Sequence, residues 1–215
     1  MNNQFSKIST LFLLVFLFVL SSCRKDEEGV FDPADPKVAK ITMVTAKESG
    51  SDFLISIAGL NGIEFSVDWG DGEKVAYTKP GPEVFNLNEK LKGNTVKIYS
   101  KSTSDISGIV STANKLSKVD IRNATGISDV YFNQNDLADL DVSRNSNLKN
   151  LDVSGNQIKQ QAMNVIMNQV PVRSVGDNAT VWVRRSAYEG QERNDDPSVE
   201  ARESAEQKNW DVRSL

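Results

Sequence analysis

One thiol, one pair of carboxylates and one acidic turn are the side chains whose types and spacing could do chemistry. The thiol is Cys23, the only cysteine, which closes the run Leu20-Ser21-Ser22-Cys23 behind an uncharged apolar stretch from Thr10 to Leu20. With no second cysteine it can form no internal disulfide, so the fold rests on packing alone. The carboxylates are Asp120 and Asp141, which could in principle serve as the acid and base of a glycosidase. No cleft motif accompanies them, and they are not assigned a catalytic role. Asp68, Asp71 and Glu73 could offer oxygen ligands to calcium, but they lack the spacing of an EF-hand loop, and a structural turn is the better reading. The chain has no histidine, hence no imidazole base or metal ligand. It also has no Gly-rich phosphate loop and no nucleophile elbow. The expectation is a non-enzymatic protein with no catalytic residue, no metal and no cofactor.

The run before Cys23 has the form of a secretory signal, with Lys7 ahead of a short apolar core and small Ser21 and Ser22 at the processing site. A membrane-crossing helix needs about 20 apolar residues, and Leu11 to Leu20 supplies about half of that. An uncleaved anchor, or an ordinary secretory peptide with Cys23 incidental, is the alternative. Leu20-Ser21-Ser22-Cys23 resembles the lipobox of bacterial lipoproteins. That resemblance implies cleavage after residue 22 and acylation of Cys23, which would tether the chain to the outer membrane. Several acyl chains anchor stably, since each buried methylene contributes about 0.8 kcal/mol. Behind it, Lys25, Asp26 and Glu27 resemble the surface-export signal of Bacteroidetes lipoproteins, which implies display on the cell exterior. A solvated linker is the plainer reading of the same cluster and is compatible with the first; retention facing the periplasm is the alternative to display. Removal of residues 1–22 takes away Lys7 and moves the formal charge from −4 to −5. An acidic chain without a Lys/Arg stripe is not expected to bind nucleic acid.

The elements that must position everything else fall into three regions. Over 37–100 the apolar residues alternate in the strand manner, as in Ile41, Met43 and Thr45, or Phe53, Ile55 and Ile57. Within Val67-Asp-Trp-Gly-Asp-Gly72, the Asp71-Gly72 pair suits a tight hairpin turn, and the segment resembles the WGDG turn of PKD-like β-sandwiches. Over 101–158 the chain repeats. Units start at the anchors Ile106, Leu116, Ile127, Leu137 and Leu148, and the step from one anchor to the next alternates between ten and eleven. Two units together span about 21 residues, within the leucine-rich-repeat range. Asn114, Asn135, Asn145 and Asn156 each lie eight places after an anchor, while the second unit has Ala124 there and Asn123 one position early. An asparagine ladder at a turn can both donate to and accept from buried backbone groups.

Side chains one full repeat apart should be neighbours on adjacent turns. This places Lys118 beside Asp139, Asp120 beside Asp141 and Arg122 beside Ser143 on one face; on the other, Asp129 beside Asn150, Tyr131 beside Asp152 and Asn133 beside Ser154. Those residues are the candidate ligand surface, with Tyr131 as its aromatic contact. Trp69 and Trp182 lie in strand-like runs and are expected to pack in the core or cap. Over 159–215, with Ile158 leading in, Ala162, Val165, Ile166 and Val170 share a helical face that Pro171 ends. A strand at Val181 and Val183 follows, then a polar connector from Ser186 to Asp196. A second helix is expected from Ser198 to Lys208, capped by Asp196 and Pro197, before a last strand that brings Val212 beside Val181.

The expected fold is α+β and β-dominated: an N-terminal antiparallel β-sandwich, a short leucine-rich-repeat solenoid and a C-terminal α/β cap. The segment Leu137-Ala-Asp-Leu-Asp-Val-Ser-Arg-Asn145 and its continuation to Asn156 resemble the LxxLDVSxN leucine-rich repeats of Bacteroidetes surface lipoproteins. Membership in that family implies a surface-exposed adhesion lipoprotein that binds another protein. A glycan-binding accessory lipoprotein, or a structural envelope lipoprotein, are the alternatives.

Overall fold

The computed structural model describes residues 32, 35–59, 64–78, 84–188, 190 and 192–215. Asp32–Leu215 forms one compact unit. The expectations for Cys23, Lys25, Asp26 and Glu27 lie outside the described residues.

This unit is built from twelve strands and two α-helices among the described residues. Six strands come before residue 101: β1 (Ile41–Thr45), β2 (Asp52–Gly59), β3 (Glu64–Asp68), β4 (Lys74–Thr78), β5 (Val84–Lys90) and β6 (Thr95–Ser100). Four follow in the repeating segment: β7 (Ile106–Val110), β8 (Leu116–Asp120), β9 (Asp129–Tyr131) and β10 (Asn150–Asp152). Helix α1 (Gln160–Gln169), β11 (Ala179–Arg184), α2 (Val199–Glu206) and β12 (Trp210–Ser214) complete the unit.

These strands make two sheets. One has five strands in the order β4-β3-β6-β1-β8, and the other seven in the order β12-β11-β10-β9-β7-β2-β5. Within the second, β7, β9, β10, β11 and β12 run parallel, while β2 pairs antiparallel with both β7 and β5. One inward row crosses all seven strands: Phe85, Ile57, Ile109, Val130, Leu151, Val181 and Val212 are consecutive register partners. Each is buried, because the period-2 alternation of every strand puts the same phase inward. The inward residues of the five-stranded sheet, among them Ile41, Phe65, Val67, Val96 and Ile98, belong to the same core.

The strand order overturns the expected sandwich followed by a solenoid. The repeating segment does not close on itself. Its first strand, β7, takes β2 as antiparallel neighbour, and β8 joins the other sheet beside β1. Both pairings cover edges that would otherwise present a row of unpaired amides and carbonyls. The unit starting at Leu137 forms no strand. Its backbone is bound by side chains instead, Asn156 Oδ1 accepting from Leu137 N at 3.0 Å and Gln169 Oε1 from Val142 N at 3.0 Å. What the repeat spacing does produce is register: Gly108 opposes Asp129, and Asp129 opposes Asn150.

The asparagines form the ladder that holds this register. Asn135 Nδ2 donates to Ser111 O at 2.7 Å and Phe132 O at 3.0 Å, and its Oδ1 accepts from Asn114 N and Leu116 N at 2.9 and 3.1 Å. Asn156 repeats the pattern on Phe132 O and Val153 O. Asn114, the first rung, reaches Leu54 O of β2 at 2.6 Å and accepts from Lys47 Nζ at 2.8 Å. A further rung is Asn194, which donates to Val153 O and Val183 O and accepts from Ile158 N at 2.8 Å. The connector 186–196 therefore contains a buried rung rather than only an open polar loop. Asn145 donates to Ile121 O and Ala124 O, but among the described residues its Oδ1 is buried without a partner.

The ends differ in detail from expectation. Helix α1 buries Met163, Ile166 and Met167, whereas Val165 is exposed; the buried stripe is rotated toward the methionines. Ser198 rather than Asp196 caps α2, accepting from Ala201 N at 3.3 Å. Asp196 is drawn away to Arg184 and Ser214. Val181 opposes Val212 in a parallel pair. At the Trp69–Gly72 turn, Asp68 Oδ1 accepts from Gly70 N and Gly72 N at 2.8 and 2.9 Å. Lys92 pairs with Asp71 at 2.7 Å, so both carboxylates are occupied in holding the turn.

Candidate functional site

The inward phase of the seven-stranded sheet fixes what faces outward. One outward row runs Asn86, Ser56, Val110, Tyr131, Asp152, Trp182 and Arg213; a second runs Val84, Ala58, Gly108, Asp129, Asn150, Thr180 and Asp211. Chemistry changes along the face. The β5-β2-β7 end is aliphatic and amide-rich, and the β9–β12 end carries the aromatic and charged groups.

At the charged end, Asn150 Nδ2 donates to Asp129 Oδ1 at 2.6 Å. Trp182 is partly buried because the Arg185 guanidinium lies over its ring at 3.8 Å, with that of Arg213 at 4.9 Å. Such cation–π contacts hold the guanidinium planes in place. Arg185 is fixed from the other side by Asp152, with Nε and Nη2 at 3.0 and 2.9 Å from Oδ2. Arg213 is tied to Asp211 at 2.7 Å. Burial pushes the Tyr131 phenol pKa up, and the Asp129 and Asp152 charges act in the same direction, so it remains a neutral hydroxyl at physiological pH.

Three of the candidate surface residues, Asn133, Asp152 and Ser154, are not on the surface. Asp152 is 3% exposed and Asn133 7%, because the segment carrying Arg185 and Tyr188 folds over that end of the sheet. Asp152 Oδ1 accepts from Ser154 Oγ and N. Asn133 accepts from Thr112 Oγ1 at 3.0 Å and donates to the Tyr188 hydroxyl at 2.9 Å. They position Arg185 and Tyr188 rather than meeting a ligand. Asp129, Tyr131 and Asn150 stay partly exposed. Trp69 is core, donating to the Tyr77 hydroxyl at 3.3 Å and meeting Phe53 edge-on.

The other candidates, Lys118, Asp120, Arg122, Asp139 and Asp141, gather on the β8 side of the five-stranded sheet. Lys118 and Asp139 line one hollow of about 470 Å³ with Thr42 and Val44. Arg122 grips Asp120 through two bonds, Nε to Oδ1 at 3.0 Å and Nη2 to Oδ2 at 2.8 Å. That hydrogen-bonded pairing holds the Asp120 carboxyl below its ordinary pKa, and hydrogen bonds from Ser143 do the same for Asp141, assisted by Arg122. A glycosidase general acid needs a raised pKa; these two carboxylates are pushed the opposite way. Among the described residues no three His, Cys, Asp or Glu side chains group to hold a metal ion.

No family model, no curated protein and no solved structure matches this chain. Its site is therefore read from its own geometry. Sequence reasoning missed Arg185 and Arg213, whose place over Trp182 depends on β11 pairing with β12. It missed Asn194 because that rung comes far beyond Asn156 in the chain, outside the repeat period. It also missed Leu54, an exposed leucine in an otherwise alternating strand.

Proposed function

We propose that this chain is a lipid-anchored, non-enzymatic adhesion protein of the bacterial outer membrane, displayed outward, which docks a protein partner on the outer face of its seven-stranded sheet. The Cys23 run and the Lys25-Asp26-Glu27 cluster support the tether and the display. The docking reading is carried by one observation: Tyr131, Trp182, Arg185 and Arg213 share one outward face, with the guanidiniums already stacked on the indole. Tyr, Trp and Arg are the side chains that most often dominate protein interfaces. Arginines held in place before binding lose little further rotamer freedom on docking. Tyr131 and Trp182 stand two strand spacings apart, about 10 Å, a span within one interface core.

The test uses the full chain in detergent micelles, immobilised against a panel of host matrix and neighbouring-cell envelope proteins. Tyr131→Ala and Trp182→Ala should each weaken a captured partner at least tenfold, and Lys97→Ala, in β6 of the other sheet, should leave it unchanged. Equal binding by all three variants would remove this face from the interaction. Separately, Cys23→Ser should abolish acyl labelling, and protease shaving of intact cells should remove the protein; its survival would sink outward display.

A further inference from the structure

The opposite end of the same sheet face carries a different chemistry. A hollow of about 400 Å³ opens over β5, β2 and β7, lined among others by Leu54, Ser56, Asn86, Asn88, Val110 and Thr112. No lining residue carries a formal charge, on a chain in which 25% of residues are charged. The Asp52–Lys90 pair, further along the same strands, is closed on itself at 2.9 Å. Leu54 is 54% exposed in the middle of a strand whose other outward residues are polar or small. Its neighbour across the ladder is Asn88, and Ser56 faces Asn86.

The polar groups around this aliphatic floor have unspent capacity. Asn86 Oδ1 accepts from Ser56 Oγ at 2.6 Å, which orients the amide with its two N–H donors available. Thr112 Oγ1 donates to Asn133 Oδ1 at 3.0 Å, which leaves its lone pairs as acceptors. Amide donors, amide acceptors and hydroxyls ringed around a leucine and a valine match a ligand that has hydroxyls on its edge and C–H groups on its face. An ionic ligand would have to shed its hydration here with no counter-charge to replace it. A volume of about 400 Å³ lies within the range of ordinary small-ligand pockets. On the next strand Tyr131 stands beside Val110 and offers an aromatic face to whatever extends beyond the hollow.

We infer that this hollow is a saccharide subsite that seats a ring of a neutral glycan, separate from the Trp182–Arg185 end of the face. The ring lies on Leu54 and Val110, and Asn86, Asn88 and Ser56 engage its hydroxyls. The site is independent of the protein-docking reading, and the two fail separately.

The experiment is a glycan microarray probed with the full chain in detergent micelles. It carries neutral gluco-, manno-, galacto- and xylo-oligosaccharides beside sulfated, sialylated and uronate-containing ones. Retention of at least one neutral oligosaccharide, with the anionic ones unretained, is expected. Titration calorimetry with the retained oligosaccharide should then show at least a tenfold loss of affinity for Leu54→Asp and for Asn88→Ala, and no change for Lys97→Ala in β6 of the other sheet. Leu54→Asp is read only if its thermal midpoint matches the parent chain; Asn88→Ala, at an exposed edge position, decides otherwise. The inference is overturned if no neutral oligosaccharide is retained, if anionic ones bind as well, or if the deciding variant binds unchanged. Capture of a protein partner that is indifferent to both variants, with no saccharide retained, removes this site and leaves the docking reading standing.

Discussion

Asn135 bonds five backbone groups with one amide, whereas Asn145 at the equivalent sequence position bonds two and, among the described residues, leaves its own Oδ1 orphaned. A buried donor or acceptor left unpaired costs about 1–3 kcal/mol. Asn135→Leu should therefore destabilise by about 3–5 kcal/mol in urea unfolding, large for a single substitution, and Asn145→Leu by about 1–2 kcal/mol. Equal losses would mean that the two ladders are not distinguished as the bonds indicate. The asparagine spacing was legible because the ladder recurs with the repeat; Asn194 was not, since its rung is delivered by a connector with no period. Asp152 and Asn133 show the converse: their outward phase was readable from the repeat, but their burial depends on Arg185 and Tyr188 arriving from a distant part of the chain.

Among the elements, the Val175–Asp177 turn after α1 is held by Asp177, which meets Lys149 at 2.7 Å and Arg173 at 3.0 Å. The Lys149 hydrogen bond, then that from the Ser174 amide, lowers its pKa to about 2. Because the folded value lies below the ordinary 3.8, its contribution is complete above pH ~4 and fades as pH falls through about 2. The thermal midpoint of Asp177→Asn should lie below that of the parent chain at pH 7, and the gap should close between pH ~4 and pH ~2. A gap that persists at the acid end would assign the effect to the amide itself.

The Trp69–Gly72 hairpin offers a second element-scale test. Gly70 has φ +111°, and a Cβ there would stand 2.5 Å from Gly93 N, backbone against backbone. Gly72 has φ +86° with open space around it. Gly70→Ala should cost about 2–4 kcal/mol by strain plus displacement of Gly93, and Gly72→Ala only about 1 kcal/mol from the left-handed backbone. Chemical denaturation of the two variants separates close approach from backbone strain. The Asp71-Gly72 pair announced a turn in the sequence; the contact with Gly93, which makes Gly70 the stricter position, exists only once β6 is in place.

For the whole molecule, the seven-stranded sheet joins strands from 37–100 to strands from the repeating segment and from the C-terminal region. Unfolding one region alone would expose both an apolar half-row and an unpaired strand edge. One cooperative transition is therefore expected for residues 32–215. Fluorescence reports it, since Trp69 packs in the core at the β3–β4 turn and Trp210 packs near α1, donating to Pro171 O at 2.7 Å. Calorimetry with coincident fluorescence and circular dichroism checks this; two separated transitions would show that the regions are energetically independent.

By itself the sequence determined local phase: which residues of each strand point inward, where the chain turns, which asparagines stack, and the lipobox-like run at Cys23. These follow from the alternation along a strand and the spacing of the repeat, which are properties of neighbouring positions. The partners of each strand edge were decided only in three dimensions: β7 keeps β9 of the repeat on one edge, and burial of a shared core put β2 on the other. That pairing joined two expected domains into continuous sheets and placed Leu54 with Asn86 and Asn88 beside Val110 on one neutral patch, while the chain carrying Arg185 and Tyr188 covered Asp152 and Asn133.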